Sequence, residues 1–309
     1  MLKICVMGLG YVGLPICLRI SKYYKTIGFD INKNRIKKLK KKVDINNEFL
    51  KKDFLRKKID FTDDISKLKN CNFFIICVPT PITKIKKPDL KYVKKSFDII
   101  SKYLKKDDII VLESTVYPGI TKKFTKELEI KKKLTHNKDF FVGYSPERIN
   151  PGDKKNELSK INKILAYDGK NLETKNKLKK VYSRLCKNLI FTNKINEAEA
   201  AKGIENIQRD LNIAFFNEIL LICNRLNMNF NEVVKLASTK WNFIKFTPGL
   251  VGGHCLPVDP YYLTYAANKK KYKSKFTLSG RSTNEYMKKY VLEFVNKKIK
   301  KYYKKNKLN

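Results

Sequence analysis

Apolar and polar positions change rhythm once along this chain. Residues 2–8, 25–31, 70–81, 107–115 and 140–147 are short, strongly apolar runs with little polar alternation. Runs of that kind read as strands buried on both faces. Between them, residues 11–24, 32–42 and 91–104 carry helical spacing, and Pro118-Gly119 marks a further helix start. Two more strand candidates, 163–168 and 187–192, flank another helix. Strand and helix alternate, which predicts a Rossmann-type, doubly wound parallel sheet of the α/β class. From about residue 195 the rhythm becomes purely helical. Residues 196–227 contain no Pro and place apolar side chains at 204, 207, 211, 215, 219 and 222, a stripe of period near 3.6. A second helix is expected at 230–238, then a loop over 246–260, then helix to the end. The expected domains are therefore 1–194, a sheet domain, and 195–309, an all-α central domain.

Composition narrows the class. A length of 309 residues with 42% hydrophobic content suits two globular domains. No apolar run approaches the roughly 18 residues of a membrane helix, and MLKICVMGLG lacks the layout of a signal peptide. A cytoplasmic protein without a membrane partner is expected. The seven Cys form no CxxC pair, so no metal site is expected. Most sit in apolar runs as small core residues, with Cys255 the exception. The net charge of +39 has two readings. One is binding to nucleic acid. The other is a Lys bias spread over the whole surface. Lys is distributed along the entire chain and no nucleic-acid motif accompanies it, so no specific nucleic-acid partner is expected.

Gly8-Leu9-Gly10-Tyr11-Val12-Gly13 follows the first strand candidate and opens the first helix. In a GxGxxG turn the first Gly permits the bend, the second lets backbone amides approach a pyrophosphate, and the third lets helix pack on strand. Asp30 stands 22 residues after Gly8, at the end of the second strand, where a carboxylate receives the ribose hydroxyls of a dinucleotide. The acid favours NAD over NADP. Arg35, five residues on, is the kind of residue that accommodates a 2′-phosphate, and it joins the cofactor set.

Chemistry points elsewhere in the chain. Gly252-Gly253-His254-Cys255, with Pro257, Asp259 and Pro260 after it, is a loop in which a thiol can serve as a nucleophile; a buried Cys in a Gly turn has the same pattern. Lys202, Asn206 and Arg209 share a helix face and can offer donors to an oxyanion or a phosphate; a solvated polar stripe would look alike. Glu147, in Ser145-Pro146-Glu147-Arg148, and Thr115, in Glu113-Ser114-Thr115, lie just past strand ends, on the ligand side of an open α/β sheet. Capping or turn roles fit them equally.

Together these segments resemble the UDP-glucose/GDP-mannose dehydrogenase family. GLGYVGLP, the VPTP loop (78–81), ESTVYPG (113–119), SPERINPGDK (145–154), AAKGIENIQRDLN (200–212) and PGLVGGHCLPVDPYYL (248–263) carry the likeness, from Met1 to about residue 290. The wording of SPERINPG, KWNFIKF and GGHCLPVDPYYLT is similar to that of UDP-N-acetylhexosamine 6-dehydrogenases, and Val258 stands where UDP-glucose dehydrogenases usually have Lys. UDP-ManNAc and UDP-glucose are the alternative substrates. The resemblance implies oxidation of a C6 alcohol to an acid with two NAD, through a thiohemiacetal and a thioester on Cys255, for surface polysaccharide biosynthesis. It implies that Lys202 and Asn206 stabilise the oxyanion, and that Glu147, Thr115 and Asp259 position or activate water. Arg148, Ile149, Arg209, Gly252 and Gly253 would line the sugar nucleotide. Tyr11, Val12, Pro79, Thr80 and Thr115 would join the three glycines, Asp30 and Arg35 around NAD. A homodimer through the long central helix is implied. Family members carry a third, UDP-binding domain, absent from these 309 residues. A partner chain supplying it, or a catalytically silent NAD-binding remnant, are the corresponding alternatives.

Overall fold

A computed structural model describes residues 2–55, 59–149, 158–253 and 256–305, Lys305 by its backbone alone. The chain divides into two compact units, Met1–Lys202 and Gly203–Asn309.

The first unit is built on strands β1 (Lys3–Met7), β2 (Lys25–Phe29), β3 (Ile59–Thr62), β4 (Phe73–Ile76), β5 (Ile109–Leu112), β6 (Phe141–Tyr144), β7 (Asn162–Ala166) and β8 (Asn188–Thr192). Among the described residues they form one sheet in the order β3-β2-β1-β4-β5-β6-β7-β8. Helices α1 (Gly13–Ile20), α2 (Lys33–Lys40), α3 (Lys91–Ser101), α4 (Ile120–Lys132) and α5 (Leu172–Tyr182) run between the strands. Successive residues of a strand face opposite sides, and both sides are apolar. Ile4 and Val6 join one core with Leu14, Phe73 and Val111, while Cys5 and Met7 join another with Phe74, Val93 and Ile110. Burial on both faces is why β1, β4 and β5 read as unbroken apolar runs, and the Rossmann-like fold stands as expected. Cys5, Cys17, Cys71, Cys77, Cys186 and Cys223 are buried thiols.

The sheet corrects the sequence reading at one junction. It is parallel except where β7 runs antiparallel to β6, through the pair Tyr144↔Ala166. The chain enters β7 at the same end at which it leaves β6, so no return crossover is made. Ser145 Oγ, just after β6, donates to Ile164 O in β7 at 2.6 Å and ties the two together. Strand β3 had no apolar signature to announce it. Its sequence IDFT is short and charged, as suits an edge strand.

The second unit takes the long helix α6 (Ile195–Arg225) from Gly203 onward, with α7 (Phe230–Ala237), α8 (Asp259–Lys269) and α9 (Lys275–Lys305). Helix α6 buries polar residues beside the apolar Ala214, Phe216 and Cys223. Asn206, Asp210 and Asn217 are buried, whereas Ile204 and Phe215 of the apolar stripe are 54% and 53% exposed. Asp210 and Asn217 are matched by α9. Arg281 Nη1 meets Asp210 Oδ1 at 2.6 Å, and Asn284 Nδ2 donates to the same oxygen at 2.9 Å. Asn217 Nδ2 donates to Asn284 Oδ1 (2.8 Å) and to Gly249 O (3.0 Å), and its Oδ1 accepts from Gly249 N (2.8 Å). The loop leading to Gly252 and Gly253 is thereby clamped to α6.

Removing one partner of a buried pair strands the other charge, so Arg281→Met is expected to destabilise the fold by about 3–5 kcal/mol. The check is the midpoint of urea unfolding at constant slope, with Asp210→Asn in the same chain recovering much of the loss.

Candidate active site

The turn after β1 is shaped by glycine. Gly8 has φ +87°, and a Cβ there would sit 2.7 Å from Cys77 O. A Cβ at Gly13 would fall 1.8 Å from Gly8 O, so α1 can approach β1 only with glycine at that point. Gly10 is exposed, and a Cβ on it would meet nothing within 4 Å. Its backbone is open to a close-lying group. No side chain caps α1 at Val12, so its amide end is left to an anion.

Asp30 follows β2, half-buried. Its Oδ2 accepts from Leu9 N and its Oδ1 from Asn32 N, both at 2.8 Å. Arg35 is buried under the same turn. Its Nε donates to Leu9 O at 2.9 Å, and Nη1 pairs with Asp44 Oδ1 at 2.6 Å. Both polar atoms of Leu9 are thus pinned, the amide by Asp30 and the carbonyl by Arg35. Tyr11 and Pro79 are exposed, and Val12, Thr80 and Thr115 half-buried, in turns at or after the carboxyl ends of β1, β4 and β5. A glycine turn, an uncapped helix end and a carboxylate at the next strand end fit a dinucleotide.

A buried charge cluster lies past the ends of β5 and β6. Lys163 Nζ, from β7, meets Glu113 Oε2 at 2.6 Å and Glu147 Oε2 at 3.2 Å. Tyr182 of α5 donates its hydroxyl to Glu113 Oε1 at 2.7 Å. Glu147 Oε1 accepts from Arg148 N (2.6 Å) and Ile149 N (2.7 Å). Burial pushes the Glu113 carboxyl up to about 7, against the pull of Lys163 and with the push of Glu147. Burial opposes the charge on Lys163, yet the two carboxylates outweigh it and its pKa is raised. Sequence reasoning placed Glu147 but missed the roles of Lys163, Glu113 and Tyr182. The available signal was a lysine inside an otherwise apolar strand.

In the second unit, Asn206 Nδ2 donates to Asp259 Oδ2, and Arg209 Nη2 donates to Asn206 Oδ1 at 2.7 Å. Asp259 opens α8 and is buried, with Pro260 in the first turn. Lys202, one turn before Asn206 on α6, is also buried. These residues are therefore not a solvated stripe. Gly252 and Gly253 are exposed, and Gly253 has φ +80°. Cys255 and His254 lie outside the described residues, as does the end of the SPERINPGDK segment from Asn150.

Glu113 carries a direct pH signature. Its carboxyl is raised from 4.5 to about 7 in the folded chain, so the stability it contributes is full below pH 4.5 and is lost as pH rises through 7. Thermal midpoints of the wild type should decline across that interval relative to Glu113→Gln, which keeps an acceptor for Tyr182 without the ionisation.

Comparison with known proteins gives concordant results. Residues 2–186 match the NAD binding domain of the UDP-glucose/GDP-mannose dehydrogenase family, and residues 196–286 its central domain. The chain is 46% identical over 294 residues to a UDP-N-acetyl-D-glucosamine 6-dehydrogenase of Salmonella typhi, covering 94% of this chain and 69% of that protein. It is 46% identical over 299 residues to Protein CapL of Staphylococcus aureus, covering 96% and 70%. The solved UDP-D-ManNAc dehydrogenase of Pyrococcus horikoshii superimposes with a TM-score of 0.85 at 32% identity, over 97% of this chain and 72% of that one. With a dinucleotide cradle in the first unit and both family domains matched in order, the chain belongs to the UDP-glucose/GDP-mannose dehydrogenase family and is an NAD-dependent oxidoreductase.

Proposed function

We propose that the protein oxidises the C6 alcohol of a UDP-N-acetylhexosamine, UDP-N-acetylglucosamine foremost, to the uronic acid, a building block for surface polysaccharides made in the cytoplasm. The observation that carries this reading is the 46% identity to a UDP-N-acetyl-D-glucosamine 6-dehydrogenase, against 36% for the UDP-N-acetyl-D-mannosamine dehydrogenase of Pyrococcus horikoshii. The balance requires one water and two NAD, and yields a carboxylate, two NADH and three protons. NAD supplies the hydride acceptor for each oxidation. Gly8, Gly10 and Gly13 hold its pyrophosphate, Asp30 its ribose hydroxyls, and Arg35 keeps the turn in shape from beneath.

Cys255 is assigned as the nucleophile that adds to the C6 aldehyde. Making an acid by hydride transfer is easier through a covalent acyl sulfur than from a free hydrate. Lys202 and Asn206 are assigned to the developing oxyanion. Their burial supports the role, since a donor in a dry setting is worth more than one in water. Glu147, Thr115 and Asp259 are assigned to the water that releases the acid. Arg148, Ile149, Arg209, Gly252 and Gly253 are assigned to the sugar nucleotide. Purified chain given UDP-N-acetylglucosamine should form two NADH per sugar, with kcat/KM above that for UDP-glucose by about tenfold or more. Cys255→Ala should abolish acid formation. Acid made by that variant, or no NADH from any UDP-sugar while NAD still binds, would sink the proposal.

We further propose a homodimer through α6. The apolar positions Ile204, Phe215 and Ile222 fall on one face of this helix and are exposed at 54%, 53% and 44%. A second copy of the chain would cover them. Light scattering should give a dimer for the wild type and a monomer for Phe215→Glu.

A further inference from the structure

Lys163 is fully buried in β7, the strand that breaks the parallel run of the sheet. An ammonium has three donors, and all three are used. One goes to Glu113 Oε2 at 2.6 Å, one to Glu147 Oε2 at 3.2 Å and one to Pro146 O at 3.3 Å. Two of the three therefore end on the loop that follows β6, one on its backbone and one on its carboxylate. Glu147 is gripped on both oxygens, with the amides of Arg148 and Ile149 on Oε1 and Lys163 on Oε2. Glu113 is fixed in turn by the Tyr182 hydroxyl at 2.7 Å.

Stability alone does not account for this arrangement. A buried ion pair is commonly matched or bettered by apolar side chains of similar volume. Lys163 carries two carboxylate partners, Glu113 at 2.6 Å and Glu147 at 3.2 Å. The second carboxylate adds a negative charge to a dry cluster. It is also the group assigned above to the attacking water.

We propose that Lys163 is a positioning residue for the hydrolytic half of the reaction, aiming the Glu147 carboxylate at the attacking water. The inference rests on the water-activating role proposed for Glu147. In the step concerned, the water oxygen bonds to C6 as the C6–S bond breaks. The water's proton passes to Glu147 and then to the departing Cys255 thiolate. A displaced Glu147 cannot accept that proton, so the thioester would persist. Besides Glu113 and Tyr182, the groups facing the cluster are Cys77 after β4 and Cys186 after α5. Burial raises both thiols, and the Tyr182 hydroxyl is raised as well. Arg19 of α1 is directed elsewhere, its Nε donating to Arg184 O at 2.7 Å.

The test compares Glu113→Gln with Lys163→Met/Glu113→Gln, a pair differing only in the cation. The double variant should bind NAD and UDP-N-acetylglucosamine with KM within about twofold of its parent, while kcat falls between about tenfold and a hundredfold. Intact-protein mass spectrometry should show the uronyl thioester accumulating on Cys255. Lys163→Arg keeps the charge and should turn over without accumulating the adduct, which serves as the readout if the double variant does not fold. An unchanged rate in the double variant, a rate loss without adduct, or adduct accumulating on Lys163→Arg would each overturn the inference. Wild-type turnover in Glu147→Gln would instead remove the role of Glu147 itself, and with it the premise, without bearing on how Lys163 is placed.

Discussion

The first unit is governed by one constraint, that its central strands are apolar on both faces. A strand such as Phe73–Ile76, buried throughout, can carry no chemistry along its length, because any polar group there would need a partner inside a packed core. Polar function is displaced to where the strands stop. Gly8, Asp30, Cys77, Glu113 and Ser145 are the residues immediately after β1, β2, β4, β5 and β6. The glycine turn and the carboxylates thus stand along one edge of the sheet, which is where ligands bind in open α/β folds.

Lys163 is the exception to that constraint. It lies within β7, not beyond it, and β7 can hold it because its antiparallel entry brings the strand alongside the loop leaving β6. A parallel β7 would begin at the opposite end of the sheet, far from Glu113 and Glu147. The irregular pairing and the buried cation are therefore one feature. The reversal places a lysine from inside the core at the functional edge, where its charge is matched by two carboxylates and its third donor by a carbonyl.

What the sequence disclosed follows the same division. Unbroken apolar runs announced β1, β4, β5 and β6, and the glycine spacing announced the cradle, because each rests on local rules of burial and backbone freedom. Strand β3 was silent because an edge strand needs no apolar run. The antiparallel step was silent because strand direction depends on the path between strands. Lys163 was visible as an oddity in its strand but not as a partner of Glu113, fifty residues away. Arg35 illustrates the limit from the other side. Its position marked it for the cofactor region, and the structure shows it engaged with Leu9 O and Asp44 beneath the turn.

Helix α6 shows why hydrophobic period alone does not say which face is inside. The stripe through Ile204, Phe215 and Ile222 has the spacing of a core face, yet it is exposed, while Asn206, Asp210 and Asn217 are buried alongside Ala214, Phe216 and Cys223. A period reports that two faces differ, not which one packs within the chain. Polar residues can fill the inner face because the partners are supplied: Arg281 and Asn284 for Asp210, Gly249 for Asn217, Asp259 for Asn206. Buried polar groups are tolerable only when matched in this way, and once matched they hold position more tightly than an apolar core would, since each hydrogen bond fixes a direction as well as a distance. Asn206 and the loop at Gly249 are held by such directional contacts.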